Sequence, residues 1–423
     1  MPIITFARFF HVFRGFFRVM VIVLALLRPV TTWATVAGTV RGIVHDPDHR
    51  PVQKAQAEVK ASNSDYSQKL ATDAEGRFEA AAVPVGSYIV TVTKEGFAAS
   101  VQEIVVASGS APVLHFQLAV GTQREQVSVT EAAMAVNAEQ MTPTTIVSRS
   151  EIAMTPGADL SNSLAMITDY VPGAWVTHNQ LHVRGGHQVS WAIDGVPIPN
   201  TNISSNVGPQ IDPKDIDYLE AQRGGYSAAY GDRTYGVFNV VPRTGFERNN
   251  EAELVATYGT FHQTNDQLNF GSHTEKFAYF GSINANRSDY GLETPGPDIL
   301  HDKVWGLSGM GTLIYNRDAN NQFRLVTSMR RDDYQIPNDP DAQAAGIRDV
   351  ERERDALASL SWVHVYRPGL LLTVSPFYHY NRANYDGDSV DTPAGATQHR
   401  ASQYAGAQIA LSALTTRHNA NVG

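Results

Sequence analysis

The sequence of 423 residues contains no cysteine, which excludes disulfide scaffolds, thiolate metal sites and cysteine nucleophiles. Charged residues are sparse at 18%, while 43% of residues are hydrophobic. This balance fits neither a disordered chain nor a helical membrane protein. The formal net charge is −9, so no nucleic-acid partner is expected, because phosphate binding requires a basic face.

Long apolar runs are also almost absent, and the one clear run lies near the N-terminus. Arg8, Arg14 and Arg18 precede the apolar residues 19–27, and small residues around Ala34 and Ala37 suit a cleavage site. The run is too short to span a bilayer and has the flanks of a signal peptide. We therefore predict a signal peptide at residues 1–34, with an uncleaved anchor as the alternative. Insertion into a membrane would otherwise require strands.

Residues 38–120 show short alternating strands separated by closely spaced turn residues, which predicts a small β-sandwich. The ordered set Gly38-x-Val-x-Gly-x-Val44, Asp73-Ala-Glu-Gly-Arg-Phe78 and Val83-Pro-Val-Gly-Ser-Tyr88 resembles carboxypeptidase-regulatory-like domains. That resemblance implies a carbohydrate-binding-like fold. No aromatic platform for a sugar is evident, and Tyr88 and Phe97 are expected in the core. A periplasmic spacer or docking module is the favoured interpretation.

Two blocks of the sequence, residues 181–200 and 218–232, carry turn and strand signals in a distinctive order. An Asp-Gly pair between apolar flanks supplies the positive φ angles of a two-residue hairpin. The features in order are Arg184-Gly185-Gly186, Asp194-Gly195-Val196-Pro197, Glu220 to Gly224 with Arg223, Tyr230-Gly231, and the strand Gly236 to Val241. This order resembles the plug domain of TonB-dependent outer-membrane receptors. Gly225 departs from the pattern, since many members carry Pro or Ser there.

The resemblance implies an α+β plug domain at residues 141–246, with short helices starting near Asp159 and across residues 212–219. It also implies that charges at Arg184, Glu220 and Arg223 could bridge the plug to a surrounding wall, although solvated strand charges are the simpler alternative.

A further implication is a TonB-type energy-transducing partner in the periplasm, which would bind a short extended segment called the TonB box. The linker at residues 121–140 offers such a segment, with Glu125, Val127, Val129 and Thr130 as its candidate residues. Binding by strand addition uses main-chain hydrogen bonds and so tolerates varied sequences. An ordinary interdomain strand is the alternative.

From residue 251 onwards the hydrophobic period is two. In residues 277–286, for example, Phe277, Tyr279 and Ile283 share one face, and Ser282 and Asn284 the other. Strands with apolar residues outside, polar residues inside and aromatic ends are typical of outer-membrane barrels. Eight strands are predicted, near 252–261, 263–272, 276–290, 303–316, 321–335, 355–367, 370–385 and 400–414. Short links alternate with long polar links, and the long ones are expected outside the cell.

The predicted fold class is therefore mainly β: a small N-terminal β-sandwich, an α+β plug domain, and an incomplete antiparallel transmembrane β-barrel of about eight strands at residues 247–423. The resemblance implies twenty-two strands, and a closed barrel of eight has room only for side chains. We therefore expect an open, curved sheet around the plug, as in a truncated or split gene product.

The leading functional hypothesis is energy-coupled import of a scarce ligand, such as a siderophore, a vitamin or an oligosaccharide, across the outer membrane. The partners would be the TonB-type protein, outer-membrane lipid and the unknown small ligand, with the N-terminal domain in the periplasm. A truncated surface or periplasmic binding protein built from the same modules, which does not transport, is the alternative. An enzyme is not expected, because His178, His182 and His187 match no metalloprotease spacing. No cofactor or metal is predicted.

Overall fold

The computed structural model describes most of the chain after the N-terminal segment. The described residues are 37–62, 66–107, 112–119, 126–127, 144–155, 164–177, 180–198, 209–224, 235–274, 276–292, 294–318, 320–367, 370–387, 390, 396–414 and 419–422. The predicted signal peptide and the predicted helix start at Asp159 lie outside them. None of the helices within these ranges is long and apolar enough to cross a membrane.

The N-terminal part forms two facing β-sheets. Its strands are β1 (Ala37–His45), β2 (Gln56–Ala61), β3 (Ser67–Ala71), β4 (Arg77–Pro84), β5 (Gly86–Thr93), β6 (Ser100–Val106), β7 (Val113–Gln117) and β8 (Gln126–Val127). One sheet has the order β4-β1-β7 and the other β3-β2-β5-β6-β8. Alternate residues point between the sheets, so Val40, Val90 and Phe116 are fully buried. Tyr88 is buried there too, as predicted.

The plug is a five-stranded mixed sheet with short helices at its edge. Its elements are β9 (Thr144–Ser148), α1 (Arg149–Met154), α2 (Leu164–Thr168), β10 (Ala174–Thr177), β11 (Gln180–Val183), β12 (Val189–Ile193), β13 (Val196–Pro197), β14 (Ile216–Gln222) and β15 (Gly236–Pro242). The sheet order is β13-β12-β15-β14-β9, with β12 and β15 parallel. Ser148 and Glu151 form a capping box that starts α1.

The predicted helix across residues 212–219 is largely wrong. Asp212 caps a single 3₁₀ turn at Pro213–Asp215, and the chain then enters β14 at Ile216. The physical reason is that the apolar residues after Asp215 pair with both β15 and β9 in the centre of the sheet.

The C-terminal half is one sequential antiparallel sheet. Its strands are β16 (Glu251–Val255), β17 (Thr264–His273), β18 (Phe277–Ser288), β19 (Val304–Asp318), β20 (Asn321–Gln335), β21 (Val350–Arg367), β22 (Leu370–Asp386), β23 (Thr397–Leu414) and β24 (Asn419–Val422). A short helix, α3 (Pro340–Ala345), lies between β20 and β21. The sheet has nine strands rather than eight, because β24 was not predicted. Within the described residues, β16 and β24 each pair on one side only.

The two faces of this sheet differ as the period of two predicted. Trp305, Leu313 and Ile409 on one face are each about two-fifths exposed, at 41%, 41% and 39%. Asn284 and Ser375 on the other face are buried. The exposed face is thus the apolar one, which is the pattern of a strand that meets lipid.

The polar face covers both other parts of the molecule. Met310, Val326 and Leu357 of the sheet belong to the same buried cluster as the plug core. Val365 and Leu371, near the β21–β22 turn, join the core of the N-terminal sandwich. The sheet is therefore a wall against which plug and sandwich pack, and we call it the wall below.

Candidate functional site at the plug and wall interface

The Asp194-Gly195 turn between β12 and β13 forms as the sequence predicted. Asp194 has φ 52° and Gly195 φ 76°, the positive values that a primed turn requires. The backbone N–H of Asp194 donates to the carbonyl of Val240 at 2.8 Å, and that of Gly195 donates to Oδ1 of Asn239, also at 2.8 Å. The neighbouring strand β15 thus holds the turn and leaves the Asp194 carboxylate free to point away from the plug sheet.

That carboxylate meets the wall. Oδ2 of Asp194 lies 2.5 Å from Nε of Arg324 on β20, and the two side chains are only 14% and 10% exposed. Burial raises the pKa of Asp194, while the Arg324 guanidinium opposes the rise. This ion pair joins plug to wall in a poorly hydrated place, where each charge depends on the other.

A second polar contact surrounds Asp215, at the end of the 3₁₀ turn before β14. Its Oδ2 accepts from Nδ2 of Asn284 on β18 at 2.8 Å, and its Oδ1 accepts from Nε2 of Gln267 on β17 at 3.3 Å. Burial, together with the nearby charge of Asp212, raises the pKa of Asp215 to about 7. One plug carboxylate therefore binds two neighbouring wall strands.

Further contacts cross the same interface. The Thr312 hydroxyl donates to the carbonyl of Arg243 at 3.0 Å, and the Arg243 guanidinium lies 4.9 Å from the centroid of the Phe280 ring. Nζ of Lys214 donates to Asn265, and Gln210 donates to Glu353. The interface thus combines hydrogen bonds with the apolar contacts of the shared cluster.

The predicted Arg184-Gly185-Gly186 motif forms a tight turn within the plug. Arg184 and Gly185 have positive φ angles, and the Val183 N–H donates to the Gly186 carbonyl at 2.7 Å. A Cβ on Gly186 would lie 2.2 Å from the Tyr235 ring, and one on Gly224 would lie 2.4 Å from Nη1 of Arg184. Both glycines therefore permit close approach inside the plug.

Glu220 and Arg223, two of the three charges considered as bridges to the wall, have hydrogen-bond partners inside the plug. Glu220 is fully buried and accepts from Nε2 of Gln222 at 2.9 Å and from Nδ2 of Asn239 at 3.3 Å. Arg223 donates to the carbonyl of Pro172 and to the Thr145 hydroxyl. Asp194, Lys214 and Asp215 make polar contacts across the interface.

The predicted TonB box falls mostly outside the described residues, which include Val127 but not Glu125, Val129 or Thr130. Val127 lies in β8, which pairs in parallel with β6 through Val101. Tyr230 and Gly231 also lie outside the described part of the plug. The roles of these residues stay predictions.

A cavity of about 290 Å³ lies where sandwich, plug and wall meet. Its lining includes Ser62 of the sandwich, Arg149 and Tyr218 of the plug, and Arg324 of the wall. The Tyr218 hydroxyl is buried, and burial raises its pKa well above the usual value. Elsewhere, the described residues contain no group of three or more acidic or histidine side chains placed to hold a metal ion.

Two signals could have located the wall side of this site. Arg324 is a charged residue on the inward-facing positions of β20, and Asn284 belongs to the inward-facing polar set of β18. Which plug group each one meets depends on how the two units dock, and strand patterns carry no information on that.

Residues 39–119 match the family described as carboxypeptidase regulatory-like domain, and residues 137–237 match the TonB-dependent receptor plug domain. Among curated proteins, the chain is 23% identical over 290 residues to the TonB-dependent transporter Oar of Myxococcus xanthus. That alignment covers 64% of this chain and 26% of the relative.

Solved structures are similar to the chain at low sequence identity. The copper transporter OprC superposes with a TM-score of 0.51 at 14% identity, covering 64% of this chain and 43% of that one. A variant of the ferric enterobactin receptor of Pseudomonas aeruginosa superposes with a TM-score of 0.48 at 15% identity, covering 64% and 46%. The chain thus spans about a quarter of the curated relative and under half of these two structures.

The family matches agree with the structure, which packs a plug sheet against the polar face of an antiparallel wall. Proteins of this kind are receptors and transporters rather than enzymes. The chain therefore carries a plug domain of the kind found in TonB-dependent receptors, with a carboxypeptidase regulatory-like domain ahead of it.

Proposed function

We propose that the chain serves energy-coupled import of a scarce ligand through the outer membrane. In this proposal the plug closes the path along the polar face of the wall, and a TonB-type protein in the periplasm displaces it. The observation that carries the proposal is the set of separable polar contacts between plug and wall, with the Asp194–Arg324 pair as the strongest.

These contacts suit a plug that must be both held and released. The ion pair and the Asp215 hydrogen bonds are strong while water is excluded, because buried charges have no competing solvent. Once water enters, solvent replaces each of these contacts at little cost, so displacement becomes easier as it proceeds. An interface made of apolar contacts alone would lack this property.

The partner is proposed to bind the linker at residues 121–140, with Glu125, Val127, Val129 and Thr130 as the TonB box. Strand addition requires backbone donors and extended geometry. Proline removes one donor and fixes φ, so Val127→Pro should abolish capture of the full chain by the purified periplasmic domain of the organism's TonB-type protein. Thr122→Pro, outside the box, is the matched control and should bind normally. Equal capture of both variants would move the box elsewhere.

Plug displacement can be tested directly, because the protein has no cysteine of its own. Asn284→Cys places a thiol on the wall beneath the plug, where the native side chain is 2% exposed. In cells kept in their own spent medium, a membrane-impermeant maleimide should label this thiol, and a protonophore should prevent the labelling. Gly296→Cys in an open link is the control and should label under both conditions.

A thiol at position 284 that stays unlabelled in energised cells, while the one at 296 reacts, would contradict plug displacement. Labelling that persists with the protonophore would show a plug that moves without energy input. The ligand itself is proposed only as a scarce solute. Siderophores, vitamins and oligosaccharides all fit the proposal.

A further inference from the structure

Three arginines stand directly opposite one another on adjacent strands of the wall. Arg331 on β20 pairs in register with Arg354 on β21, and Arg354 pairs in register with Arg382 on β22. Like charges in directly opposed positions destabilise a sheet. A row of three therefore needs compensation from another group.

The row lies on the outer, apolar face of the wall. On β20 the residues before Arg331 alternate, with Met329 61% exposed and Ser328 buried, and Arg331 shares the face of Met329. The guanidinium of Arg331 also lies 4.5 Å from the centroid of the Trp305 ring, which is itself exposed. These side chains point away from the plug.

The height of the row places it at the edge of the apolar band. Phe323 and Trp362 stack at the other end of the same strands, with ring centroids 6.3 Å apart. Arg331 follows Phe323 by eight residues, which is about 26 Å along a strand and about 20 Å along the membrane normal at the usual tilt. Because an outer-membrane barrel has an apolar band of about 25 Å between its aromatic girdles, the arginines lie within about 5 Å of its far boundary.

The boundary is the one that faces outwards from the cell. The row lies toward the strand ends joined by the longer links, residues 289–303, 336–349 and 387–396. Long links are external in such barrels and short turns are periplasmic. The arginines are therefore level with the headgroups of the outer leaflet.

Carboxylates near the row do not balance its charge. The Asp333 carboxylate forms ion pairs with Arg331 at 2.7 Å and with Arg352 and Arg354 at 3.7 Å each. Arg382 donates from Nε to the amide oxygen of Asn384 at 2.8 Å. Within the described residues it forms no ion pair with a carboxylate. Arg352 lies outside the row and also pairs with Asp386. Within the row, Arg331 and Arg354 therefore share Asp333, and the Arg382 end keeps its positive charge.

We propose that this arginine row binds the phosphate groups of an anionic glycolipid in the outer leaflet of the outer membrane. Guanidinium groups match phosphate oxygens with paired hydrogen bonds, and the apolar residues below the row would contact the acyl chains of the same lipid. The proposal depends on the membrane position of the wall and not on the import proposed above.

The test uses the full chain in neutral detergent micelles and bisphosphorylated lipid A as the probe, with binding followed by native mass spectrometry. Arg382→Gln should weaken binding about tenfold, because a charged hydrogen-bonding group is lost. Arg382→Lys keeps the positive charge but loses the paired N–H donors of the guanidinium group. Its affinity for lipid A should therefore fall less than that of Arg382→Gln. Arg317→Gln is the control, since that arginine is exposed at the opposite end of the sheet and should bind normally.

Three outcomes would overturn the proposal. The first is equal binding by wild type and Arg382→Gln when both show the same circular dichroism spectrum. The second is undiminished binding of fully dephosphorylated lipid A, which would make the contact one of acyl chains. The third is full displacement of lipid A by millimolar inorganic phosphate, which would make the row a site for a soluble anion.

Discussion

Replacing Arg324 should show how much the ion pair between plug and wall contributes to the stability of the protein. The variant Arg324→Met keeps most of the side-chain volume but leaves the Asp194 carboxylate buried without its cation. Breaking one side of a buried ion pair destabilises proteins by about 3–5 kcal/mol. We expect a loss of this size at pH 7.5, measured as the shift in urea unfolding of the full chain in detergent, followed by near-ultraviolet circular dichroism.

The pH dependence provides the sharper test, because the pKa of Asp194 is already raised by burial and loses its opposing cation in the variant. A carboxyl whose pKa is raised in the folded state favours the protonated form, so its contribution to stability declines as the pH rises above the unfolded pKa. Lowering the pH from 7.5 to 5.5 should therefore restore up to about 2.7 kcal/mol, at 1.36 kcal/mol per pH unit.

The control is the double variant Asp194→Asn with Arg324→Met. Asparagine also tolerates the left-handed conformation of the turn, and no buried charge remains. This variant should recover much of the lost stability and show little pH dependence at this site. A single variant that is equally unstable at both pH values, or no less stable than the double variant, would refute the role of the ion pair.

Substitutions of Asp215 and Gly245 test the same interface, and a substitution of Gly185 serves as a control. Because burial raises the pKa of Asp215 to about 7, its contribution to stability should fall as the pH rises from 5 to 8, and Asp215→Asn should remove that part of the pH dependence in urea unfolding. A Cβ on Gly245 would lie 2.2 Å from the Tyr279 carbonyl oxygen, so Gly245→Ala should destabilise the chain by about 1–3 kcal/mol or more through overpacking. Gly185→Ala has open space around it and only an unfavourable φ of +93°, so a loss near 1 kcal/mol is expected. Equal losses for the two alanines would contradict the close approach of plug and wall.

Sequence patterns correctly predicted those structural features that depend on a few neighbouring residues. The Asp194-Gly195 turn follows from residues that accept positive φ, and the two faces of the wall follow from strict alternation. Strand β20 begins at Asn321 and ends at Gln335, as predicted. These features depend on backbone preference and on which side of a strand meets lipid, and both can be read from adjacent positions.

Charge patterns near element ends were less reliable. Strand β21 begins at Val350 rather than near 355, because the charged residues 351–354 pair with β20 and form ion pairs across the strands. From the sequence alone, the same residues resembled part of a polar link. The start of β21 is set by its pairing with β20, which the local composition does not reveal.

The sequence by itself determined the modular order, the turn chemistry and the alternation of the wall. Only the tertiary structure decided which polar groups meet: Asp194 with Arg324, Asp215 with Asn284, and Glu220 with Gln222. The physical reason is that a period of two sets the face of each side chain but not the docking of one folded unit against another. That docking depends on shape and burial summed over the whole interface, and on contacts between residues far apart in the chain.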